Sequence, residues 1–226
     1  MCYKYSCNYY INIAAIRTIC ISFISQKGGV GKSTLARALA REANEQKLTV
    51  KIADLDTQQG TIVNWHRRRL DLNYKPIGSV ESFKTAEQAL QNISSYDLLI
   101  IDGPARASKA TLDIARQSDL VIQPTGASMD DLEPAILLFH ELFKAGIPKA
   151  KLNFALSRIG TDSEFEACKD YLVQTGYGVL GGCLFEKPAY RQAQNIGLSI
   201  TETSYQSLNK KADELIQSIV DAIKSE

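Results

Sequence analysis

The feature that most constrains the fold is a glycine-rich stretch, SQKGGVGKST, at residues 25–34. An apolar, β-branched run precedes it at 19–25, and apolar residues at helical spacing follow at 32–46. Glycines let backbone N–H groups converge on phosphate oxygens, and the start of the helix carries the positive end of its dipole. The order of strand, glycine loop and helix therefore predicts a phosphate-binding loop, with an unliganded glycine turn as the alternative.

The loop departs at one position from the usual pattern G-x-x-x-x-G-K-[ST], because Gln26 stands where the first glycine belongs. Lys32 is expected to bridge the terminal phosphates, and the Ser33 hydroxyl is expected to ligate magnesium. A second lysine, Lys27, adjoins the glycines. The other loop residues expected to contact the phosphates are Gly28, Gly29, Val30, Gly31 and Thr34.

The rest of the chain alternates short β-branched runs with longer helical patterns. Further strands are predicted at 49–55, 96–102, 119–124, 151–159 and 178–185. Helices are predicted near 62–69, 83–93, 108–117, 131–144, 163–175 and 204–224. This alternation predicts an α/β fold in three layers, with a mostly parallel, twisted sheet covered by helices on both faces. Ligands of such sheets bind outside the carboxyl ends of the strands.

Two further strand ends carry carboxylates. In IADLDTQQG, at 52–60, strand periodicity points Asp54 and Asp56 the same way, so both could approach one metal–water cluster. In LLIIDGPA, at 98–105, four apolar residues precede Asp102, which is typical of a carboxylate that holds magnesium directly or through water. We therefore expect a metal site at Ser33, Asp54 and Asp102. Each aspartate could instead be a turn or helix-capping residue.

The composition limits which other classes of protein and site are possible. With 45% hydrophobic residues, 23% charged residues and a formal net charge of +1, the chain has no strong overall field that would attract nucleic acid. Its five cysteines show no C-x-x-C spacing, so neither a zinc site nor a disulfide framework is indicated, and a reducing cytoplasm is expected. No apolar run approaches the ~20 residues of a membrane span.

The first eighteen residues differ from the rest of the chain. They are rich in tyrosine and asparagine, and they lack the charge pattern and cleavage site of a signal peptide. We expect residues 1–18 to form a peripheral or disordered extension, with an added strand or a partner contact as the alternative. The remaining residues, 19–226, are then expected to form one domain.

Taken together, KGGVGKST, DLDTQQ and IIDGPA resemble the ParA/MinD family of deviant Walker-A ATPases, over the chain from residue 19 onward. In particular the chain is similar to small ParA-type plasmid and chromosome partitioning proteins without an N-terminal helix-turn-helix domain. The resemblance implies a P-loop NTPase fold, ATP and Mg²⁺ as cofactors, and a homodimer that forms around ATP.

The resemblance also assigns roles to individual residues. Lys27 is expected to reach the nucleotide held by the other subunit, as an arginine finger does in other nucleotide hydrolases. Lys32 and Asp56 are expected to complete the catalytic set, with Asp56 orienting or polarising the attacking water. Asp102 would hold magnesium through water, and Asp54 would support that network. Thr57 stands where family members often have proline, which leaves the detailed shape of the loop open.

The position of the base follows from the same resemblance. In related proteins adenine lies near the ends of the later strands. The candidates for contacting it are Ser157 with Arg158 and the segment 185–188, and among these we name Arg158, Lys187 and Pro188 as binding residues, with an ordinary surface loop as the alternative.

The function implied by the resemblance is a weak, partner-stimulated ATPase that acts as a switch in DNA partitioning. The ATP-bound dimer would bind DNA without sequence preference, and a ParB-like centromere-binding protein would stimulate hydrolysis and release. The cytoplasmic protein would be nucleoid-associated while ATP is bound. Groups of basic residues that could contact DNA are 67–69, Lys187 with Arg191, and Lys210 with Lys211.

The main alternative is a MinD-like ATPase that positions itself on a membrane surface or on a protein cluster. The C-terminal segment 208–226 has an apolar stripe, but its polar face mixes basic and acidic residues, so we expect it to pack on the sheet and do not expect membrane binding. Iron–sulfur carriers need cluster cysteines, and none lies between Cys20 and Cys168. The Lys27 signature favours the dimerising branch over synthetases of the dethiobiotin type.

Overall fold

The computed structural model describes residues 17–57, 59–91, 93–104 and 109–224. Its strands are β1 (Ile19–Phe23), β2 (Val50–Asp54), β3 (Ser79–Ser82), β4 (Leu98–Asp102), β5 (Leu120–Thr125), β6 (Leu152–Ile159), β7 (Gly178–Val179) and β8 (Leu184–Phe185). Its α-helices are α1 (Lys32–Glu45), α2 (Thr61–Asp71), α3 (Ala86–Leu90), α4 (Lys109–Gln117), α5 (Met129–Lys144), α6 (Asp162–Val173), α7 (Pro188–Asn195) and α8 (Gln206–Lys224).

The strands form a parallel sheet in the order β3-β2-β4-β1-β5-β6-β7. The short strand β8 also pairs with β6 in parallel. The strand β1 is central: β4 lies on one side of it and β5 on the other, so the chain crosses from one half of the sheet to the other at this point. Such a switch point leaves a crevice at the carboxyl end of the sheet, and the glycine loop that follows β1 lies there.

Side chains of the central strands alternate between two apolar layers. On β1, Ile21 and Phe23 belong to the layer beneath α1, α2 and α8, whereas Cys20 belongs to the layer beneath α3 to α6. On β4, Leu98 and Ile100 face the first layer and Leu99 and Ile101 the second. The predicted three-layer α/β fold with helices on both faces is therefore confirmed.

The same alternation places the acidic strand ends. Asp102 continues the Leu98–Ile100 series of β4, and Asp54 continues the corresponding series of β2, so both carboxylates emerge on the face that α1 covers. Asp54 and Asp102 are also paired in register across the two strands, and Phe23 of β1 is in register with Asp102. Strand geometry alone thus brings two carboxylates to the start of the helix that follows the glycine loop.

Several predicted element boundaries were wrong. The predicted strand at 178–185 consists of two two-residue strands, β7 and β8, because Gly182 between them has a positive φ of +73° that interrupts an extended run. The predicted helix at 83–93 is limited to α3, and two elements, β3 and α7, were not predicted. Of the predicted helix 108–117, residue 108 lies outside the described residues.

The predicted extension 1–18 lies outside the described residues except for its last two. Arg17 forms an ion pair of 2.8 Å with Asp119, and the Thr18 hydroxyl donates to the carbonyl oxygens of Ile93 and Tyr96 at 2.8 and 2.7 Å. These contacts fix the chain just before it enters β1.

Candidate functional site

The glycine loop runs from the end of β1 to the first turn of α1. Gly29 and Gly31 have φ angles of +75° and +106°, in the left-handed region that favours glycine. Gly31 is the N-cap of α1, and the Ser157 hydroxyl of β6 donates to the carbonyl of Val30 and so anchors the loop. A cavity of about 210 Å³ lies beside the loop, lined by loop residues together with Arg37, Asp56, Gln59, Thr61 and Gly103. We call it the phosphate cavity.

Lys32 supplies a buried positive charge to this cavity. The Lys32 side chain lines the phosphate cavity, and its ammonium makes a long hydrogen bond of 3.3 Å to the carbonyl of Lys27. Burial lowers the pKa of Lys32, and the charges of Asp102 and Asp56 partly offset that effect. Because this hydrogen bond is long, the buried ammonium of Lys32 is suited to bind a stronger anionic partner such as a phosphate.

Asp102 and Ser33 form the second part of the site. The Ser33 hydroxyl donates to Oδ2 of Asp102 at 2.6 Å, while Oδ1 is buried without a hydrogen-bond partner among the described residues. Burial raises the pKa of Asp102 to about 7, although the Ser33 hydrogen bond and the Lys32 charge lower it. An orphaned carboxylate oxygen beside a serine hydroxyl fits a hard, oxygen-seeking cation such as Mg²⁺.

The protein offers this cation few ligands of its own. The described residues contain no cluster of three or more histidine, cysteine, aspartate or glutamate side chains that would hold a metal. Mg²⁺ usually keeps several waters and binds through one or two protein groups together with substrate phosphates, so the sparse set matches that ion. When bound, Mg²⁺ neutralises phosphate charge, and Ser33 with Asp102 would hold it.

The strand β2 ends at Asp54, so the strand periodicity that predicts a common direction does not extend to Asp56, and the two carboxylates have different surroundings. Asp54 is fully buried, and its two carboxylate oxygens accept from the backbone N–H groups of Asp56 at 3.0 Å and Ile62 at 3.1 Å. It therefore fixes both ends of the segment 56–62, here called the Asp56 loop. Asp56 itself lines the phosphate cavity. The metal-binding role predicted for Asp54 and the catalytic role predicted for Asp56 stay predictions.

A second cavity of about 300 Å³ lies on the other side of the glycine loop. It shares Gly29, Gly31 and Thr34 with the phosphate cavity and extends toward β6, β8 and α7. We call it the base cavity. Most of the candidates for contacting adenine line it, whereas Pro188 begins α7 and is not part of the lining; the candidates in the lining are Ser157, Arg158, Phe185, Glu186 and Lys187. Their contact with adenine stays a prediction.

Arg158 occupies an unusual backbone conformation at this cavity. Its φ is +58°, a region that non-glycine residues rarely adopt and that often marks a functional position. Glu186, another lining residue, forms ion pairs with both Arg158 and Arg191. The rim of the base cavity is therefore charged, while Phe185 and Leu184 give it apolar surface suited to a flat ring.

Lys27 is held outside the phosphate cavity of its own chain. Its ammonium contacts Oδ1 of Asp131, in the first turn of α5, at 2.8 Å. Burial raises the pKa of Asp131, but hydrogen bonds from Lys27 and Ser128 outweigh burial and leave that pKa below its usual value. The carboxylate also lies against Gly126, where an added Cβ would stand 2.4 Å from Oδ2.

Sequence reasoning missed several residues of the site, which are Arg37, Gln59, Asp131, Tyr190 and Gln194. The helical spacing of Arg37 could have indicated its role. It lies four residues after Ser33 and three after Thr34, so it shares a helix face with both. Asp131 and Gln194 contact the loop from distant parts of the chain, so their positions in the sequence do not connect either of them with the loop.

Comparisons with known proteins bear on the family and the fold of the chain. The family model of the CobQ/CobB/MinD/ParA nucleotide-binding domain matches residues 21–200. No curated protein sequence matches the chain significantly.

Three solved structures illustrate the shared fold. A putative plasmid partition protein of Borrelia burgdorferi B31, bound to AMPPNP, is 17% identical with a TM-score of 0.69, covering 91% of this chain and 99% of that one. MinD of Pyrococcus horikoshii OT3 with Mg-ADP is 19% identical with a TM-score of 0.69, at 90% and 96% coverage. A D38A variant of Cyanothece McdA with ATP is 17% identical with a TM-score of 0.67, at 90% and 96% coverage.

ParA and MinD proteins are ATPases, and the phosphate loop, orphaned carboxylate and base cavity described above fit Mg-ATP. The chain belongs to the CobQ/CobB/MinD/ParA nucleotide-binding domain family.

Proposed function

We propose that this protein is an ATP-dependent switch ATPase for DNA partitioning, which dimerises around ATP. The ATP-bound dimer binds DNA without sequence preference, and a ParB-like centromere-binding protein stimulates hydrolysis and so releases the DNA. The ligand acts as a switch because it stabilises one assembly state over the other.

The placement of Lys27 carries the proposal. Lys27 belongs to the glycine loop, yet its ammonium pairs with Asp131 and does not enter the phosphate cavity of its own chain. The Lys27 side chain is 39% exposed, so it can exchange one anionic partner for another without disturbing the core. A triphosphate held by a second copy of the chain is an anion of the required kind, and a cation supplied across an interface would neutralise charge that develops during hydrolysis.

The basic groups suggested for DNA contact do not all qualify. Arg69 is buried and forms hydrogen bonds of 2.7 and 2.8 Å with Glu202, so it cannot reach a phosphate backbone. Arg191 pairs with Glu186, and Lys211 lies 4.1 Å from the centre of the Phe185 ring. These contacts reduce the positive charge that the groups could offer.

Arg67 and Arg68 are the better candidates, because both are exposed on α2. The helix begins within the Asp56 loop, and Thr61 at its start lines the phosphate cavity, so α2 connects the two arginines directly to the nucleotide site. Non-specific DNA binding rests on such contacts to phosphates, and a dimer doubles their number.

The C-terminal helix supports the choice of DNA over a lipid surface. The apolar stripe of α8 is buried in the core at Ala212, Leu215, Ile216, Ile219 and Val220. Its apolar face therefore packs on the sheet of its own chain, as the sequence predicts. Across the described part of the chain, the helices also include none with the length and apolarity of a membrane span.

The test measures ATPase rate and mass in solution with ATP, with and without duplex DNA. The parent is expected to dimerise with ATP and to hydrolyse it faster with DNA, whereas Lys27→Ala should stay monomeric and lose the stimulation. Lys84→Ala, which removes an exposed lysine far along the chain, is the matched control. An ATP-loaded parent that stays monomeric refutes the dimer, and stimulation by anionic vesicles or a protein scaffold in place of DNA would support a MinD-like positioning role.

The DNA-contacting surface has its own test. The double variant Arg67→Ala/Arg68→Ala should bind DNA more weakly. The slope of log affinity against log salt concentration should fall by the equivalent of about two phosphate contacts, while the basal ATPase rate is unchanged. Unchanged DNA affinity in this variant would exclude α2 from the DNA surface.

A further inference from the structure

Arg37 is a buried arginine on α1 that the mechanism described so far does not use. It lies five residues after Lys32, is 6% exposed, and lines the phosphate cavity together with Asp56 and Thr61. Arginine is rarely buried to this extent unless fixed partners satisfy its hydrogen bonds. Those partners therefore indicate which parts of the structure the side chain holds together.

The guanidinium of Arg37 joins three elements. Nη2 donates to the carbonyl oxygen of Thr61, the first residue of α2, at 2.8 Å. Nη1 donates to Oε1 of Gln194 at 2.9 Å, and the Thr34 hydroxyl donates to the same oxygen at 3.1 Å. Because Gln194 lines the base cavity, the guanidinium links that cavity to the start of α2.

The contact with Thr61 adds a second buried group that holds the Asp56 loop in place. The carboxylate of Asp54 accepts from the N–H groups of Asp56 and Ile62, at the two ends of the loop. Arg37 then holds the carbonyl of Thr61, beside the second of these ends. The loop that carries Asp56 is thus fixed by one carboxylate and one guanidinium, both buried.

The surroundings of Arg37 keep its guanidinium charged and oriented. Its Cζ atom lies 5.3 Å from the centre of the fully buried Trp65 ring, which supports the planar group from one side. Burial lowers the pKa of Arg37 to about 10, and the charge of Asp102 opposes that effect, so the group remains protonated at neutral pH. Nε is buried and has no partner among the described residues.

We propose that Arg37 is a positioning residue for ATP hydrolysis, which holds the Asp56 loop at the phosphate cavity and couples it to the base cavity through Gln194. The proposal rests on the ATPase activity and is independent of DNA binding. A planar, two-pronged donor is required because two acceptors in different elements must be held at once, and the single ammonium of a lysine cannot do this.

The test compares Arg37→Lys with Arg41→Lys, a matched control one turn later on α1. Arg41 contacts Glu42 and Glu202 and does not line the phosphate cavity. The basal kcat of Arg37→Lys, measured without DNA, should fall about tenfold, the order expected from one lost charged hydrogen bond, while affinity for ADP stays within about threefold of the parent. Arg41→Lys should keep the parental kcat.

Gln194→Ala provides a second variant, because this half-buried side chain can be shortened without disrupting the core. Its kcat should also fall, and the double variant with Arg37→Lys should be no slower than Arg37→Lys alone, since both act through one contact. Parental kcat in both single variants, or a loss confined to ADP affinity, overturns the proposal.

Hydrogen exchange separates this inference from the ATPase assignment. In Arg37→Lys, the backbone amides of residues 56, 57 and 59–63 should exchange about tenfold faster than in the parent, because one of the contacts that hold this segment is weakened. This measurement needs no turnover. Unchanged exchange overturns the positioning role, whereas a parent without ATPase activity but with the expected exchange would count against the ATPase function alone.

Discussion

The buried carboxyl of Asp102 gives the fold a pH dependence that can be measured without any ligand. Burial raises its pKa from 3.8 to about 7. Between these two values the folded chain binds a proton that the unfolded chain has already released, so stability is lost as the pH rises from 3.8 to about 7. At ~1.4 kcal/mol per pKa unit, the ionised carboxylate costs the fold about 4 kcal/mol above pH 7.

The substitution Asp102→Asn removes this titration while it keeps the size of the side chain. Between about pH 5 and about pH 8, the parent should lose about 3 kcal/mol of unfolding free energy relative to the variant. The amide does not titrate, so its own cost cancels when the two pH values are compared. Urea denaturation monitored through Trp65, the single tryptophan and fully buried, measures the change.

A matched control separates the buried carboxyl from carboxylates in general. Asp130→Asn removes an exposed carboxylate in the first turn of α5 and leaves the buried carboxyl of Asp102 in place, so it should keep the loss of stability between pH 5 and pH 8 that Asp102→Asn abolishes. Burial raises the pKa of Asp213 to about 7 as well, but Asp213 is common to all three proteins and cancels from the differences. If the parent and Asp102→Asn curves run parallel from pH 5 to pH 8, burial does not control this carboxyl and the reasoning is refuted.

Two further predictions concern other contacts. Asp131→Asn removes the partly exposed ion pair with Lys27, which is worth ~0.5–1 kcal/mol per chain. The released Lys27 should strengthen the ATP-dependent dimer about tenfold in sedimentation experiments, while Asp130→Asn should leave the dimer unchanged. A weaker dimer in Asp131→Asn would contradict the idea that Asp131 competes with the second chain for Lys27. Gly197→Ala should lower the free energy of unfolding by more than about 2 kcal/mol in urea denaturation, because φ is +79° and an added Cβ would stand 2.5 Å from the α2 backbone. Gly146→Ala is the control, because φ there is +94° but the space around the added Cβ is open, so this variant shows the backbone strain without the clash. Equal losses of stability in the two variants would exclude the clash.

The sequence predicts the central part of the fold because its strands are fully buried. The run that forms β4 is apolar on both faces up to Asp102, and the run that forms β1 is apolar apart from Ser22, a pattern typical of a buried parallel strand. The paired register of Asp54 and Asp102 depends on how β2 and β4 align in the sheet, which the sequence of either strand alone does not show.

The missed elements are those whose residues carry little apolar signal. The strand β3 has the sequence SVES and lies at the edge of the described sheet, where it pairs with β2, so burial does not shape its composition. The helix α7 has the sequence PAYRQAQN and buries only Tyr190 and Ala193. A polar, eight-residue segment of this kind resembles a loop unless its contacts are known.

The partner of Lys27 could not be predicted, because it depends on the order of strands in the sheet. Asp131 is 104 residues away in the chain, and it approaches the glycine loop only because β5 lies beside β1 and α5 begins soon after β5 ends. Asp131 in the first turn of α5 also interacts favourably with the helix dipole, so a local pattern explains its presence without any reference to the loop. Tertiary placement turns this helix-start residue into the anion that holds Lys27, and the free energy of that contact must be overcome before the lysine can serve a second chain.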